Sequence, residues 1–280
     1  MQLPTGLAAA TFALAAAALF GTADFCGGVA AKRCHVFGVI TVARLCGLVI
    51  TVALALITRE APPSWPALAW ACAAGVVGGL ALPAFYRALA IGKMGIGAPL
   101  TSVLAAAVPV IVAAFTQGLP QRIQVVGLLL ALAALWLISR PDGKIRPEGI
   151  GLALLAGLGF GAFLVFIHLA AMQAVYWPTA AVLATSLVLS AVILTVQRGS
   201  LPRPGALGVV IVAGTLDSLG NICFVLASKY GRLDVAAILS SLYPAVTVLL
   251  AWLLLKEQIT RLQTAGMTAA LIAVPLIASH

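Results

Sequence analysis

The chain carries little charge, and hardly any of it is negative. Seven Asp and Glu residues stand against sixteen Lys and Arg in 280 residues, charged residues make up 8% of the whole, and histidine occurs three times. So few polar groups cannot clothe a water-soluble domain of this size, because 63% of the residues are hydrophobic and they run along almost the whole length. The five cysteines include no C-x-x-C pair, and Cys26, Cys46, Cys72 and Cys223 lie inside apolar runs, where a thiol behaves as a small hydrophobe. No metal or cofactor site is expected from them. Also missing are a G-x-x-x-x-G-K loop and any H-x-x-x-H or D-x-x-x-D pairing. Their absence argues against a nucleotide-driven pump in this chain and against a metal-dependent membrane enzyme acting on lipids.

What is present is long apolar runs. Charge, proline and glycine divide the chain into ten, near residues 6–31, 36–57, 66–91, 96–117, 123–139, 149–173, 177–197, 205–228, 233–255 and 261–279. Each is close to the length a helix needs to cross a bilayer at 1.5 Å per residue. A membrane barrel would alternate every second residue instead. The first run lacks the basic leader of a cleavable signal and reads as the first span. The expected class is an all-α integral membrane protein with ten transmembrane helices. The formal charge of +9 would suggest nucleic acid in a soluble protein, but here the basic residues fall between spans, where they set orientation.

The second half repeats the first. "RIQVVG" (122–127) matches "RLQTAG" (261–266) at a shift of 139, as do Gly75 with Gly214, Phe85 with Phe224 and Ala88 with Ala227. Phe20 and Gly21 match Phe160 and Gly161 at 140, and Pro109 matches Pro244 at 135. The units are residues 1–140 and 148–280, with five spans each. An odd number of spans puts the second copy upside down, and inverted repeats of this kind underlie alternating access in many secondary transporters. On one side the loops carry Lys32, Arg33, Lys93, Arg140, Lys144, Arg146, Arg198, Arg203, Lys256 and Arg261; the other side carries Arg59, Arg122, Lys229 and Arg232. The richer side should be cytoplasmic, which puts both termini outside the cell (inner) membrane.

The ten spans, the two halves, the prolines in spans four and nine, and "LLLKEQIT" closing span nine resemble the EamA branch of the drug/metabolite transporter superfamily. The most specific part is "ASKYGRLDVAAILSSLYPAVTVLLAWLLLKEQITRLQTAG", Ala227–Gly266. The first half departs from that pattern, with Gly118 of "TQGLPQR" near the position that Glu257 holds in the second. The resemblance implies an exporter of amino acids or other small metabolites, with a cavity lined by spans one to four and six to nine. Among its members the chain is most similar to YddG-type aromatic amino acid exporters. Nucleotide sugars and cationic drugs are the alternative cargo.

Ionisable groups at bilayer depth are costly and must be paired or face a cavity. Asp24 and Arg44 lie equally far from the middle of the first hairpin turn, which predicts an Asp24–Arg44 ion pair, either structural or part of a gate. Asp217 and Asn221 are one turn apart in span eight. Asp217 suits a substrate ammonium or a coupled proton, the alternative being a hydrogen bond between helices. His168, near the end of span six, is a titratable relay or a capped interfacial histidine. Arg87 reads as snorkelling to the surface, and Tyr86 and Tyr243 as candidates to line the cargo site. Trp65, Trp70, Trp136 and Trp177 fall near span ends, as interface residues do. Pro109 and Pro244 free the carbonyls of Ala105 and Ser240, so kinks are expected there. Ser102, Ala105–Pro109 and Ser240–Pro244 together would form the floor of the site.

Overall fold

The computed structural model describes residues 5–31, 33–91, 94–139, 150–256 and 258–278, with backbone alone at 5, 86–91, 94–100, 139, 150 and 278. An apolar chain out of water must satisfy its own amides and carbonyls, and helices do this within each segment. In order they are α1 (Thr5–Ala31), α2 (Val36–Ile57), α3 (Trp65–Ile91), α4 (Met94–Thr116), α5 (Arg122–Ser139), α6 (Ile150–Ala170), α7 (Tyr176–Val196), α8 (Pro204–Tyr230), α9 (Leu233–Ser240), α10 (Tyr243–Leu255) and α11 (Arg261–Ala278). The described residues contain no strand. Among the described residues seven stretches are long and apolar enough to cross a membrane, the last being Leu233–Leu255, which joins α9 to α10. Thr101–Thr116, Arg122–Ile138 and Arg261–Ile277 are shorter apolar helices. Large apolar side chains face outward, with Val49 61% and Val188 63% exposed, a surface suited to lipid. These are the features of a multi-pass membrane protein.

Neighbours in sequence are not the main neighbours in space. α1 packs chiefly on α8, then on α10 and α9, and only lightly on α2. The contacts are reciprocal between halves: α1 on α8 is matched by α6 on α3, α2 on α8 by α7 on α3, and α1 on α9 and α10 by α6 on α4. α5 pairs with α11 in the same way. A Cβ on Gly127 would meet Ile277 Cγ1 at 2.8 Å, and one on Gly266 would meet Ile138 Cγ1 at 2.8 Å, the same contact moved by 139 residues in each partner. The start of each helix touches the end of the other, so the two run antiparallel. Their first turns match too: Gln124 Oε1 accepts from the Gln121 amide at 3.1 Å, and Gln263 Oε1 from the Thr260 amide at 2.9 Å.

The two prolines part company. α4 continues through Pro109, whereas the ninth apolar run stops at Ser240 and restarts at Tyr243 with Pro244 in its first turn. There proline's missing N–H costs nothing, because the first amides of a helix have no partner anyway. The chain turns through Ser241 and Leu242, with the Leu242 amide reaching back to the Leu239 carbonyl at 3.3 Å. Every residue of α9 is buried and none of α10 is. The ninth apolar run is thus two helices of unlike surroundings. Glu257 lies outside the described residues, as do Lys32, Lys93, Arg140, Lys144 and Arg146.

Candidate functional site: a charged junction of α1, α2 and α8

Small residues bring α2 and α8 close. A Cβ on Gly47 would lie 3.0 Å from Ser218 Cβ and 3.4 Å from the Gly214 carbonyl, and one on Gly214 would run into the Ala43 backbone. Small residues four apart on both helices let the backbones approach, as is common inside membranes. Arg44 and Asp217 flank this seam. Arg44 Nη1 hydrogen-bonds Asp217 Oδ2, with the side chains 23% and 29% exposed. Asn221, one turn on, donates from Nδ2 to the Asp217 carbonyl at 2.8 Å and to Asp217 Oδ2 at 3.3 Å. Its own Oδ1 is buried with no partner among the described residues.

The expected Asp24–Arg44 pair is therefore corrected: Arg44 is committed to Asp217. Equal depth on a hairpin brings two residues together only if the hairpin helices pack on each other, and here α8 takes that place beside both α1 and α2. Asp24 still belongs to the cluster. It lies near enough to feel both Arg44 and Asp217, and among the described residues it has no hydrogen bond or ion pair of its own. Its side chain is exposed on α1. The junction holds two carboxylates and one guanidinium.

The remaining candidates are scattered. Ser240 is 2% exposed and its hydroxyl donates to the Ala236 carbonyl at 2.6 Å, so it serves its own helix. Ser102, at 5%, and Ala105, at 6%, are buried like Pro109. The floor expected from Ser102, Ala105–Pro109 and Ser240–Pro244 is largely closed packing in this structure, because α9 is enclosed by α1, α4, α5 and α8. Tyr243 is half-buried at the restart of span nine. Its carbonyl packs against Gly21 of α1, and the Thr247 hydroxyl donates to the Gly21 carbonyl at 3.1 Å. His168 sits two residues before the end of α6 with Nδ1 buried and unpartnered, away from the charged junction. The Tyr86 and Arg87 side chains lie outside what is described. Among the described residues no three His, Cys, Asp or Glu could share a metal ion.

Two further polar devices escape sequence reasoning. Glu60, in the turn after α2, accepts from the amides of Val175, Tyr176 and Trp177 at 2.6, 2.8 and 2.8 Å, capping α7 with a carboxylate from another loop. Trp177 answers by donating Nε1 to the Glu60 carbonyl at 3.0 Å, a hydrogen bond beyond its expected interfacial role. Arg232 grips Asp234 at 2.8 Å and donates to the carbonyls of Gln117 at 3.1 Å and Gly118 at 2.6 Å, beyond the last turn of α4. Asp234 is fully buried. No local motif announces either device, because each joins loops more than a hundred residues apart.

Comparison with known proteins locates this architecture. A crystal structure of a protein 18% identical superposes with a TM-score of 0.80, covering 96% of this chain and 95% of the other, so the fold is one already seen. No curated protein matches the chain. Residues 147–279, from the end of the α5–α6 connection through α11, match the EamA-like transporter family, and it is this family that the second half of the chain resembles.

Proposed function

We propose that this protein is a secondary transporter of the cell (inner) membrane that exports small metabolites, amino acids first among them, by alternating access between two inverted five-helix halves. The observation that carries the reading is a polar cluster, Asp24, Arg44, Asp217 and Asn221, set in an apolar bundle. Such charges are expensive at bilayer depth, and where they occur they face a partner or a cavity on a substrate path. The match to the EamA-like family over residues 147–279 supports the transport class.

Support for inversion comes from the reciprocal contacts. Two antiparallel helices that exchange identical contacts, as α5 and α11 do, are related by an axis perpendicular to both. If both cross the bilayer, that axis lies in its plane, as in the inverted repeats of many secondary transporters. The halves are residues 1–140 and 148–280, and the loop charges put both termini outside. Span nine, firm at α9 and open at α10, is the segment best built to move. Reconstituted into vesicles, the chain should accumulate labelled amino acids, and a panel with and without a pH gradient reads the coupling. A folded chain that moves none of them would sink the amino acid reading.

Cationic drugs are the second reading, favoured by Asp24, a carboxylate with no ion pair among the described residues. Nucleotide sugars find less support, since their phosphates need converging positive charge and Arg44 is held by Asp217. A lipid-modifying enzyme finds less support, since the family matched over residues 147–279 is one of transporters.

A further inference from the structure

The junction of α1, α2 and α8 is unfinished in one chemical sense. Arg44 is satisfied by Asp217, so the one cation of the cluster is spoken for. Asn221 turns its amide nitrogen toward two acceptors, the Asp217 carbonyl and carboxylate. That fixes the amide orientation, since the flipped form would set oxygen against oxygen. Its Oδ1 is left as an acceptor without a donor on a residue 3% exposed. Asp24 contributes a second set of acceptors with no hydrogen bond or ion pair among the described residues. Both vacancies ask for a donor.

We infer that Asp24 and Asn221 Oδ1 form a subsite for a protonated amine, and that the ammonium is the group by which the junction recognises its ligand. From the transporter reading it takes only that the bound amine is cargo. An ammonium brings three N–H donors, enough for both carboxyl oxygens of Asp24 and for Asn221 Oδ1. A carboxylate or phosphate would set further acceptor oxygens against them, and a hydroxyl brings a single donor. Asp217 is thereby a positioning residue that holds Arg44 and orients Asn221, and Asp24 is the contact. The subsite also abuts the break in span nine: Gly21, one turn before Asp24, is the residue on which the Tyr243 carbonyl packs and to which Thr247 donates. An amine drawn to Asp24 therefore acts on the face of α1 that supports the start of α10.

Calorimetric titration of the full chain in detergent tests this with three ligands that share one side chain: phenethylamine, phenylalanine and 3-phenylpropionate, with sodium chloride as a separate arm. The amine and the amino acid should bind and the acid should not. Asp24→Asn should weaken amine binding about tenfold to about a hundredfold, the loss of a charge-assisted hydrogen bond, and Asp24→Glu should restore part of it. Asn221→Ala, which keeps every charge, should also weaken it and serves if Asp24→Asn does not fold. Amine binding unchanged in Asp24→Asn, equal binding of the acid, sodium alone filling the Asp24-dependent site, or a folded wild-type chain that binds no amine would each overturn the subsite. Amine binding that needs Asp24 but comes with no flux in vesicles would instead remove the transporter reading and leave the subsite standing.

Discussion

At one junction, of α1, α2 and α8, the chain carries Asp24, Arg44, Asp217 and Asn221; at its counterpart, of α6, α7 and α3, it carries Leu164, Leu183, Gly78 and Leu82. The backbones meet in the same way. Gly214 lies against Ala43 of α2, and Gly75, its repeat partner, lies against the Val182 carbonyl of α7, where a Cβ would stand 2.6 Å away. At the second junction the Phe163 ring covers Gly78, with Cδ2 2.8 Å from where a Cβ would be. One seam is filled by an aromatic ring and the other by partly exposed charged groups. The fold manages without the charges, so their presence in one copy argues for a task other than holding helices together.

Moving charge into the apolar seam should break the comparison most severely. Gly78→Asp would set an unpaired carboxylate against Phe163, and we expect a loss of about 3–5 kcal/mol, read as a collapse of folded yield and of the thermal midpoint in detergent. A Gly78→Asp chain that folds normally would mean that the second seam is as open as the first. Next in size is Asp217→Leu, which strands Arg44. The pair is roughly a quarter open to water, so about 1–3 kcal/mol is expected, with most of it recovered when Arg44→Leu is added. That double variant makes the first seam apolar like the second; it should fold and should not transport. Single variants as stable as the double would dissolve the pair.

Smaller effects sharpen the contrast at the loops. Glu60→Ala removes the cap of α7 and should cost about 1–2 kcal/mol by thermal unfolding. The repeat partner of Glu60 is Gly199, which offers no carboxylate to the start of α2, so Gly199 has no cap to lose. An unchanged midpoint in Glu60→Ala would mean that water replaces the carboxylate. Least of all, Val188→Leu on the outer face should stay within about 0.5 kcal/mol of wild type. A larger shift there would mark that face as covered by protein.

Much of this was legible in the apolar runs. Their length and spacing correspond to the helices, because a chain out of water has few ways to satisfy its backbone. The shift of 139 residues reappears in space where Gly127 meets Ile277 and Gly266 meets Ile138. The candidate site was legible as a set of residues and not as a set of pairs. Asp24, Arg44, Asp217 and Asn221 stand out as polar groups in apolar spans, but assigning Arg44 to Asp24 assumed that a hairpin packs on itself. Pro109 and Pro244 look alike in sequence; the chain restarts at only one of them, where the Thr247 hydroxyl reaches the Gly21 carbonyl of α1.

The amino-acid sequence by itself determined that the chain is helical, that its outer surface is apolar and that its second half echoes its first. Those properties follow from composition and period, which act locally or along the whole chain. Only the tertiary structure decided which charge meets which. Arg44 and Asp217 are 173 residues apart, Glu60 and Tyr176 are 116 apart, and Arg232 and Gly118 are 114 apart. Such pairings depend on which helix comes between which, and helices with apolar surfaces on every side leave that order to packing.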